Sequence, residues 1–240
     1  MLEILLRGAG QLGIVLTPDQ LRQFQLYYEE LLEWNRRVNL TAITDCEGVQ
    51  VRHFMDSLTA VALLKDEPWA EGDFSLIDVG TGGGIPGIPL KIILTRSRAV
   101  LLDSVAKKTA FVQHAVIALG LERTEVVTGR AETLAHQPAY RQTFHLALCR
   151  AVSKLAAAAE LTLPFLHTGG LAIIYKKGDI QQELTQAEKA VETLGGRTRE
   201  IKAIDLEGLE QHCLVVLEKT GPTPPRFPRR AGIPEKRPIQ

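Results

Sequence analysis

The stretch of this chain best equipped for chemistry is Leu76-Ile77-Asp78-Val79-Gly80-Thr81-Gly82-Gly83-Gly84-Ile85-Pro86-Gly87. An apolar run ends at an acid and opens into a dense series of glycines, which lets main chain approach a nucleotide-like ligand closely. Two registers fit. Gly80-x-Gly82-x-Gly84 suits a nucleoside loop of the kind used for S-adenosylmethionine, and Gly82-x-Gly84-x-x-Gly87 matches the dinucleotide fingerprint. The second needs a regular helix opening on a pyrophosphate, and Pro86 and Pro89 constrain that opening. Asp78 beside the loop would repel a pyrophosphate and attract a sulfonium or an ammonium. The plain structural reading is a tight turn with Asp78 capping the next helix.

Three further points along the chain place chemistry where strands should end. Asp103 closes the second expected strand, where an acid takes ribose hydroxyls. Thr128-Gly129-Arg130-Ala131-Glu132 follows the third, with main chain near Ala131 suited to an adenine edge and Glu132 either a ligand contact or a first-turn acid. Cys149-Arg150-Ala151 follows the fourth. An unpaired arginine there is costly to bury, so a ligand, a carboxylate or a phosphate is expected beside Arg150. Cys149 reads as a structural thiol.

The elements that position these residues are legible from periodicity. Thr17-Pro18-Asp19-Gln20 is a capping-box start, and Leu21, Phe24, Tyr28, Leu31, Trp34 and Val38 then recur at helical spacing. A second helix is expected over 49–64. Strands are expected near 74–79, 99–102, 125–128, 145–149 and 170–176, with helices near 86–94, 105–119, 153–165 and 180–194. That is the βαβ rhythm of a doubly wound sheet. Strands near 199–204 and 213–218 are too close for a crossover helix, so they form an antiparallel pair at the sheet edge. The expected architecture is α/β: a Rossmann-like, seven-stranded sheet of the class I methyltransferase type, mostly parallel, with helices on both faces. An N-terminal helical extension covers 1–72, the core 73–220, and a basic, Pro-rich tail 221–240. From Arg226 onward that tail has five basic residues and one acid.

Bulk properties exclude several classes. The 240 residues balance 28 basic against 28 acidic side chains, which argues against a globally basic nucleic-acid binder but leaves room for a basic patch. Cys46, Cys149 and Cys213 are too scattered for a metal cluster or a disulfide framework. The opening Met1-to-Gly10 run is too short and interrupted for a signal peptide or membrane span.

Taken together, the segments closely resemble the bacterial small-subunit ribosomal RNA methyltransferase G family, also called glucose-inhibited division protein B. The resemblance rests on Trp34-Asn35 with Asn39-Leu40-Thr41, Val51-Arg52-His53 with Asp56-Ser57, the glycine loop, Leu101-Leu102-Asp103-Ser104, Lys107-Lys108, Gly129-Arg130-Ala131-Glu132, Arg150-Ala151 and Lys177-Gly178. It spans nearly the whole chain. Cys149 departs from it, standing where the family commonly has serine. The resemblance implies a cytoplasmic enzyme, expected to be monomeric, that methylates N7 of one guanine in 16S ribosomal RNA with S-adenosylmethionine. By the same likeness the cofactor touches Gly80, Ile85, Ala131, Glu132 and Arg150, with Asp103 near the ribose.

Guanine N7 carries a free lone pair and no proton, so it attacks the sulfonium methyl without a general base; alignment and charge stabilisation are what the protein must supply. Arg150 is then expected to donate to O6, a phosphate or the cofactor, leaving N7 free. His53 either meets the target base or packs beside Asp56. RNA phosphates are expected on Arg36, Arg37, Arg52, Lys107, Lys108, Lys176, Lys177, Arg226, Arg229, Arg230, Lys236 and Arg237. Trp34 and Phe54 read as core. The rival readings are an NAD-dependent oxidoreductase, a non-catalytic RNA-binding module on the same fold, and a small-molecule methyltransferase.

Overall fold

Two helices, α1 (Glu3–Gln11) and α2 (Pro18–Asn35), precede the sheet in a computed structural model that describes residues 2–152 and 154–239. Met1, Gln240 and Ser153, the expected start of a helix, lie outside the described residues. Both halves of the Thr17/Gln20 capping box form at the head of α2. The buried face of α2 is Phe24, Tyr27 and Leu31, so Tyr27 is the fully buried tyrosine and Tyr28 is only half-buried.

The expected helix over 49–64 is an irregular succession: α3 (Cys46–Val49), a π-helical stretch Gln50–Met55, α4 (Asp56–Leu58) and a 3-10 turn Thr59–Leu63. Side chains draw its carbonyls out of the regular ladder. Ser57 Oγ donates to His53 O at 2.5 Å, Thr59 Oγ1 to Asp56 O at 2.6 Å, and Arg150 Nη1 to Arg52 O at 3.0 Å. Widened turns of this kind recur at functional sites. Another 3-10 turn, Pro68–Glu71, leads into the sheet.

Strands β1 (Ser75–Val79), β2 (Arg98–Asp103), β3 (Thr124–Thr128), β4 (Phe144–Cys149), β5 (Leu166–Lys177), β6 (Gly196–Ala203) and β7 (His212–Lys219) form one sheet in the order β3-β2-β1-β4-β5-β7-β6. Strand β7 inserts antiparallel between β5 and β6, and pairings from β3 to β5 are parallel. The intervening helices are α5 (Gly87–Ile93), α6 (Ala106–Ala118), α7 (Ala131–Leu134), α8 (Leu155–Thr162) and α9 (Gln181–Thr193). Strand alternation divides the core. Leu76, Leu101 and Leu146 join the cluster beneath α1 and α2, while Ile77, Val100 and Ala147 join the cluster beneath α8 and α9. Phe54 is fully buried in the first cluster, and Trp34 packs against it at its margin.

Parallel winding brings the ends of β1 to β4 to one edge, where ligands of such sheets bind. The glycine loop is tied to that edge from three sides. Gly80 N and Thr81 N donate to Leu102 O at 2.8 and 2.9 Å, Gly82 N donates to Asp103 Oδ2 at 2.9 Å, and the Tyr27 hydroxyl donates to Gly83 O. Asp78 closes the loop from below. Its Oδ2 accepts from Thr81 Oγ1 at 2.6 Å and from Gly87 N at 2.9 Å. A Cβ at Gly87 would stand 2.4 Å from Leu101 and 2.8 Å from Asp78 Oδ2, so only glycine lets the helix start this close to β1 and β2. Asp78 is wholly buried and therefore does not offer an exposed carboxylate to a ligand, contrary to the sequence expectation. It caps α5 and braces the loop. Its Oδ1 is buried without a hydrogen-bond partner among the described residues.

The tail does not hang free as a basic arm either. Arg141 donates to Thr223 O, Pro224 O and Phe227 O, and the short helix α10 (Ile233–Lys236) packs near α8.

Two outcomes follow for stability. Thr17→Ala lowers the unfolding free energy by about 1 kcal/mol in urea denaturation, because a capping oxygen is lost. Burial pushes the Asp78 carboxyl up to about 6. The folded state then holds its proton more tightly than the unfolded chain, so Asp78 favours the fold most below the ordinary carboxylate range. That contribution is lost as pH rises through about 6. The stability of wild type relative to Asp78→Asn should therefore fall by about 2 kcal/mol from pH 4 to pH 7, measured by denaturant titration at each pH.

Candidate functional site

Two cavities open along the carboxyl edge and share Val152. The first, about 120 Å³, is walled by the ends of β1, β2 and β3: Gly80, Asp103, Ser104, Gly129, Arg130, Ala131 and Glu132. A Cβ at Gly80 would meet nothing within 4 Å, so the loop presents bare main chain there, as a nucleoside platform requires. Asp103 is fixed in place by Gly82 N on Oδ2 and Val105 N at 2.8 Å on Oδ1, and each oxygen keeps a second lone pair for a hydroxyl. Glu132 is nearly buried, and its Oε1 accepts from Gly232 N at 2.7 Å. Of the expected cofactor residues, Gly80, Asp103, Ala131 and Glu132 line this cavity. Gly84 and Ile85 do not. A Cβ at Gly84 would collide with Ile88, and Ile85 is packed into the N-terminal cluster. Gly82 serves by donating to Asp103.

The second cavity, about 410 Å³, is lined by Ile43, Arg52, Asp56, Arg150, Tyr175, Lys177 and His212 among others. Arg150, at the end of β4, is held from three directions. Nη1 donates to Asp56 Oδ2 and to Arg52 O, both at 3.0 Å, and Nη2 lies 3.0 Å from His53 Nδ1. His53 Nδ1 lies between Arg150 Nη2, which can only donate, and the Arg52 carbonyl oxygen at 3.1 Å, which can only accept; in the tautomer with Nδ1 accepting from Arg150, Nε2–H donates to Thr41 Oγ1 at 2.8 Å. Burial, and then the Arg150 charge, hold the His53 imidazole near 4, which keeps it neutral. Asp56 Oδ1 meets His212 Nδ1 at 2.9 Å. The Tyr175 hydroxyl donates to Ser57 O at 2.8 Å.

This geometry corrects one expectation about His53 and sharpens another. The ring is buried with both nitrogens engaged, so it neither stacks on nor hydrogen-bonds a base. Its neighbours are Arg150, the Arg52 carbonyl and Thr41, not the Asp56 carboxylate. Thr41 is itself set by Asn35, whose Oδ1 accepts from Leu40 N and Thr41 N and whose Nδ2 donates to Thr41 O. His212 was invisible to sequence reasoning: it lies 156 residues from Asp56, and no local pattern announces it. Asp56 had a signal, four residues beyond Arg52 in a helical segment. Cys149 is fully buried beneath this edge, and burial pushes its thiol up to about 12, so Cys149 offers no thiolate nucleophile.

The expected phosphate contacts divide. Arg36 and Arg37 are exposed and share Glu33, Arg52 is half-exposed beside Asp45, and Lys107, Lys177, Arg226, Arg230, Lys236 and Arg237 are exposed. Lys108 is half-buried. Two do not fit. The Lys176 side chain is 8% exposed, and its ammonium bonds Glu183 at 2.6 Å. Arg229 forms a double hydrogen bond with Glu160, whose side chain is 0% exposed. Both cations are paired with acids, Lys176 with the partly exposed Glu183 and Arg229 with the buried Glu160.

Against known proteins, the family model for rRNA small subunit methyltransferase G (GidB) matches residues 20–214. A relative from Dehalococcoides mccartyi (strain CBDB1), named ribosomal RNA small subunit methyltransferase G, is 45% identical over 236 residues, 98% of each chain. One of the same name from Roseiflexus sp. (strain RS-1) is 42% identical over 238 residues, covering 99% of this chain and all of the relative. Among solved structures, a predicted O-methyltransferase from Agrobacterium tumefaciens superposes with TM-score 0.53 at 18% identity, over 69% of this chain and 81% of that one. A 16S rRNA (adenine(1408)-N(1))-methyltransferase mutant from Catenulisporales acidiphilia gives 0.52 at 15% identity, over 65% and 89%. These structural likenesses fix the fold as that of class I methyltransferases, and the sequence matches place the chain in the rRNA small subunit methyltransferase G family.

Proposed function

We propose that the protein transfers the methyl group of S-adenosylmethionine to N7 of a guanine in 16S ribosomal RNA, acting as a cytoplasmic monomer. The observation that carries this reading is the abutment of the two cavities at Val152. One offers bare glycine main chain and the carboxylates of Asp103, Glu132 and Glu235, suited to a nucleoside. The other offers a fixed guanidinium beside room for a base. In this reading residues 1–72 and 73–220 build the acceptor side together, 73–220 supply most of the cofactor side, and 221–240 add Glu235 to its wall.

S-adenosylmethionine supplies an electrophilic methyl on sulfonium sulfur, and the residues of this chain need only bind and align. Asp103 and Glu132 receive the nucleoside, and Gly80 leaves it space. Three donor contacts from Arg150 are engaged internally, leaving one Nη2–H and Nε–H for guanine O6 or a phosphate. N7 stays unbonded for attack, and neither a base nor a nucleophilic side chain is required. The dinucleotide reading is disfavoured at the start of α5. There Gly87 N is taken by the Asp78 carboxylate, so a pyrophosphate would meet an acid where it needs a free amide.

Incubation with small-subunit ribosomal RNA and methyl-labelled S-adenosylmethionine should label one guanine at N7, mapped by cleavage at the modified base. Label on a metabolite, on another base atom or on none sinks the reading. Arg150→Lys keeps the charge beside Asp56 but loses the planar fork, so methyl transfer should drop at least roughly tenfold while circular dichroism still reports a cooperatively folded protein. Replacing Arg36 and Arg37 together by alanine should flatten the dependence of log K for RNA on log salt by about 1–2, read by filter binding across a salt series.

A further inference from the structure

The tail contacts make a device that the transfer chemistry alone does not call for. Arg229 N and Nε donate to Glu160 Oε1 at 2.7 and 2.9 Å, and Nε and Nη2 donate to Oε2 at 3.1 and 2.5 Å. Glu160 sits fully buried on α8, so the latch satisfies an acid that has no access to water. His136 Nε2–H donates to Pro228 O at 2.8 Å, and Arg141 binds three carbonyls at the root of the segment. Held this way, the chain turns at Gly232, whose φ of +78° lies in the left-handed region. That turn delivers Gly232 N to Glu132 Oε1 and sets Glu235 on the wall of the nucleoside cavity.

We propose that the segment from Arg226 to Lys236 is a clasp of the cofactor site. The Glu160–Arg229 latch docks it, and Gly232 reads that docking out to Glu132 by fixing one carboxylate oxygen and orienting the other. Glu132 is thereby pre-set to receive the nucleoside, so docked tail and bound cofactor stabilise one another, and the coupling is reciprocal. Gly232 and Arg229 are positioning residues acting through Glu132. The inference rests on the nucleoside reading of the cavity lined by Gly80 and Asp103.

The test uses the full chain and S-adenosylhomocysteine. Gly232→Ala meets no steric obstacle but strains the left-handed turn, so it loosens the clasp while leaving the latch intact. Calorimetry should show the S-adenosylhomocysteine Kd rising roughly tenfold in Gly232→Ala and in the neutral latch Glu160→Gln/Arg229→Gln. In both, KM for S-adenosylmethionine should rise with kcat held within about twofold, and the salt slope of RNA binding should not change. In wild type, S-adenosylhomocysteine should slow tryptic cleavage after Arg226, Arg230 and Lys236. Should the double variant fail to fold, the Gly232→Ala and protection experiments decide alone. Wild type that binds S-adenosylhomocysteine while Gly232→Ala binds it equally, with no protection of the tail, overturns the clasp and spares the cofactor reading. Wild type that binds none overturns that reading itself. An unchanged Kd with a flatter RNA salt slope would assign the segment to RNA instead.

Discussion

The Arg150 guanidinium is the interaction on which the site depends. It stands at the end of β4 and bonds Asp56, the Arg52 carbonyl and His53 at 3.0 Å each. Those three partners belong to the irregular helix that precedes the sheet. One side chain therefore joins the N-terminal layer to the strand edge, and this joint forms part of the wall of the wider cavity. A charge so placed is costly unless fully partnered, and each partner is itself constrained. Asp56 is shared with His212, and His53 is fixed by Thr41, which Asn35 anchors. The network is closed enough to hold the arginine rigidly and leaves donors over for a ligand.

The acids at the strand ends show how environment divides one residue type into different roles. Asp78 is wholly buried and caps α5, so its work is to shape the glycine loop. Asp103 carries two backbone donors and still borders the cavity, where its remaining lone pairs are available. Glu132 faces the same cavity but answers to the tail. A reaction that needs no proton removed from its nucleophile is well matched to this arrangement. The acids hold and orient, none is set up as a general base, and alignment carries the rate.

The basic tail illustrates how composition misleads when an internal acid is hidden. Arg229 looked like one cation among several, yet the fully buried Glu160 claims it. Lys176 is likewise claimed by Glu183. Formal charge thus overstates the number of cations that are free of an acid partner.

The sequence by itself determined the strands, the antiparallel ending, the capping box of α2, the glycine loop and the acids at the strand ends. These are local properties: alternation of period two, helical spacing, and the few residue types that cap or turn a chain. It also carried the family likeness, because that rests on short contiguous motifs. Tertiary structure alone decided which side chains meet. The pairing of Asp56 with His212, of Arg150 with His53, and of Glu160 with Arg229 joins residues tens to more than a hundred positions apart. The π-helical break between Gln50 and Met55 was hidden for the same reason, since a distant arginine and nearby hydroxyls take its carbonyls. Periodicity reports which face of an element is apolar; it does not report which polar group on another element will complete a buried charge.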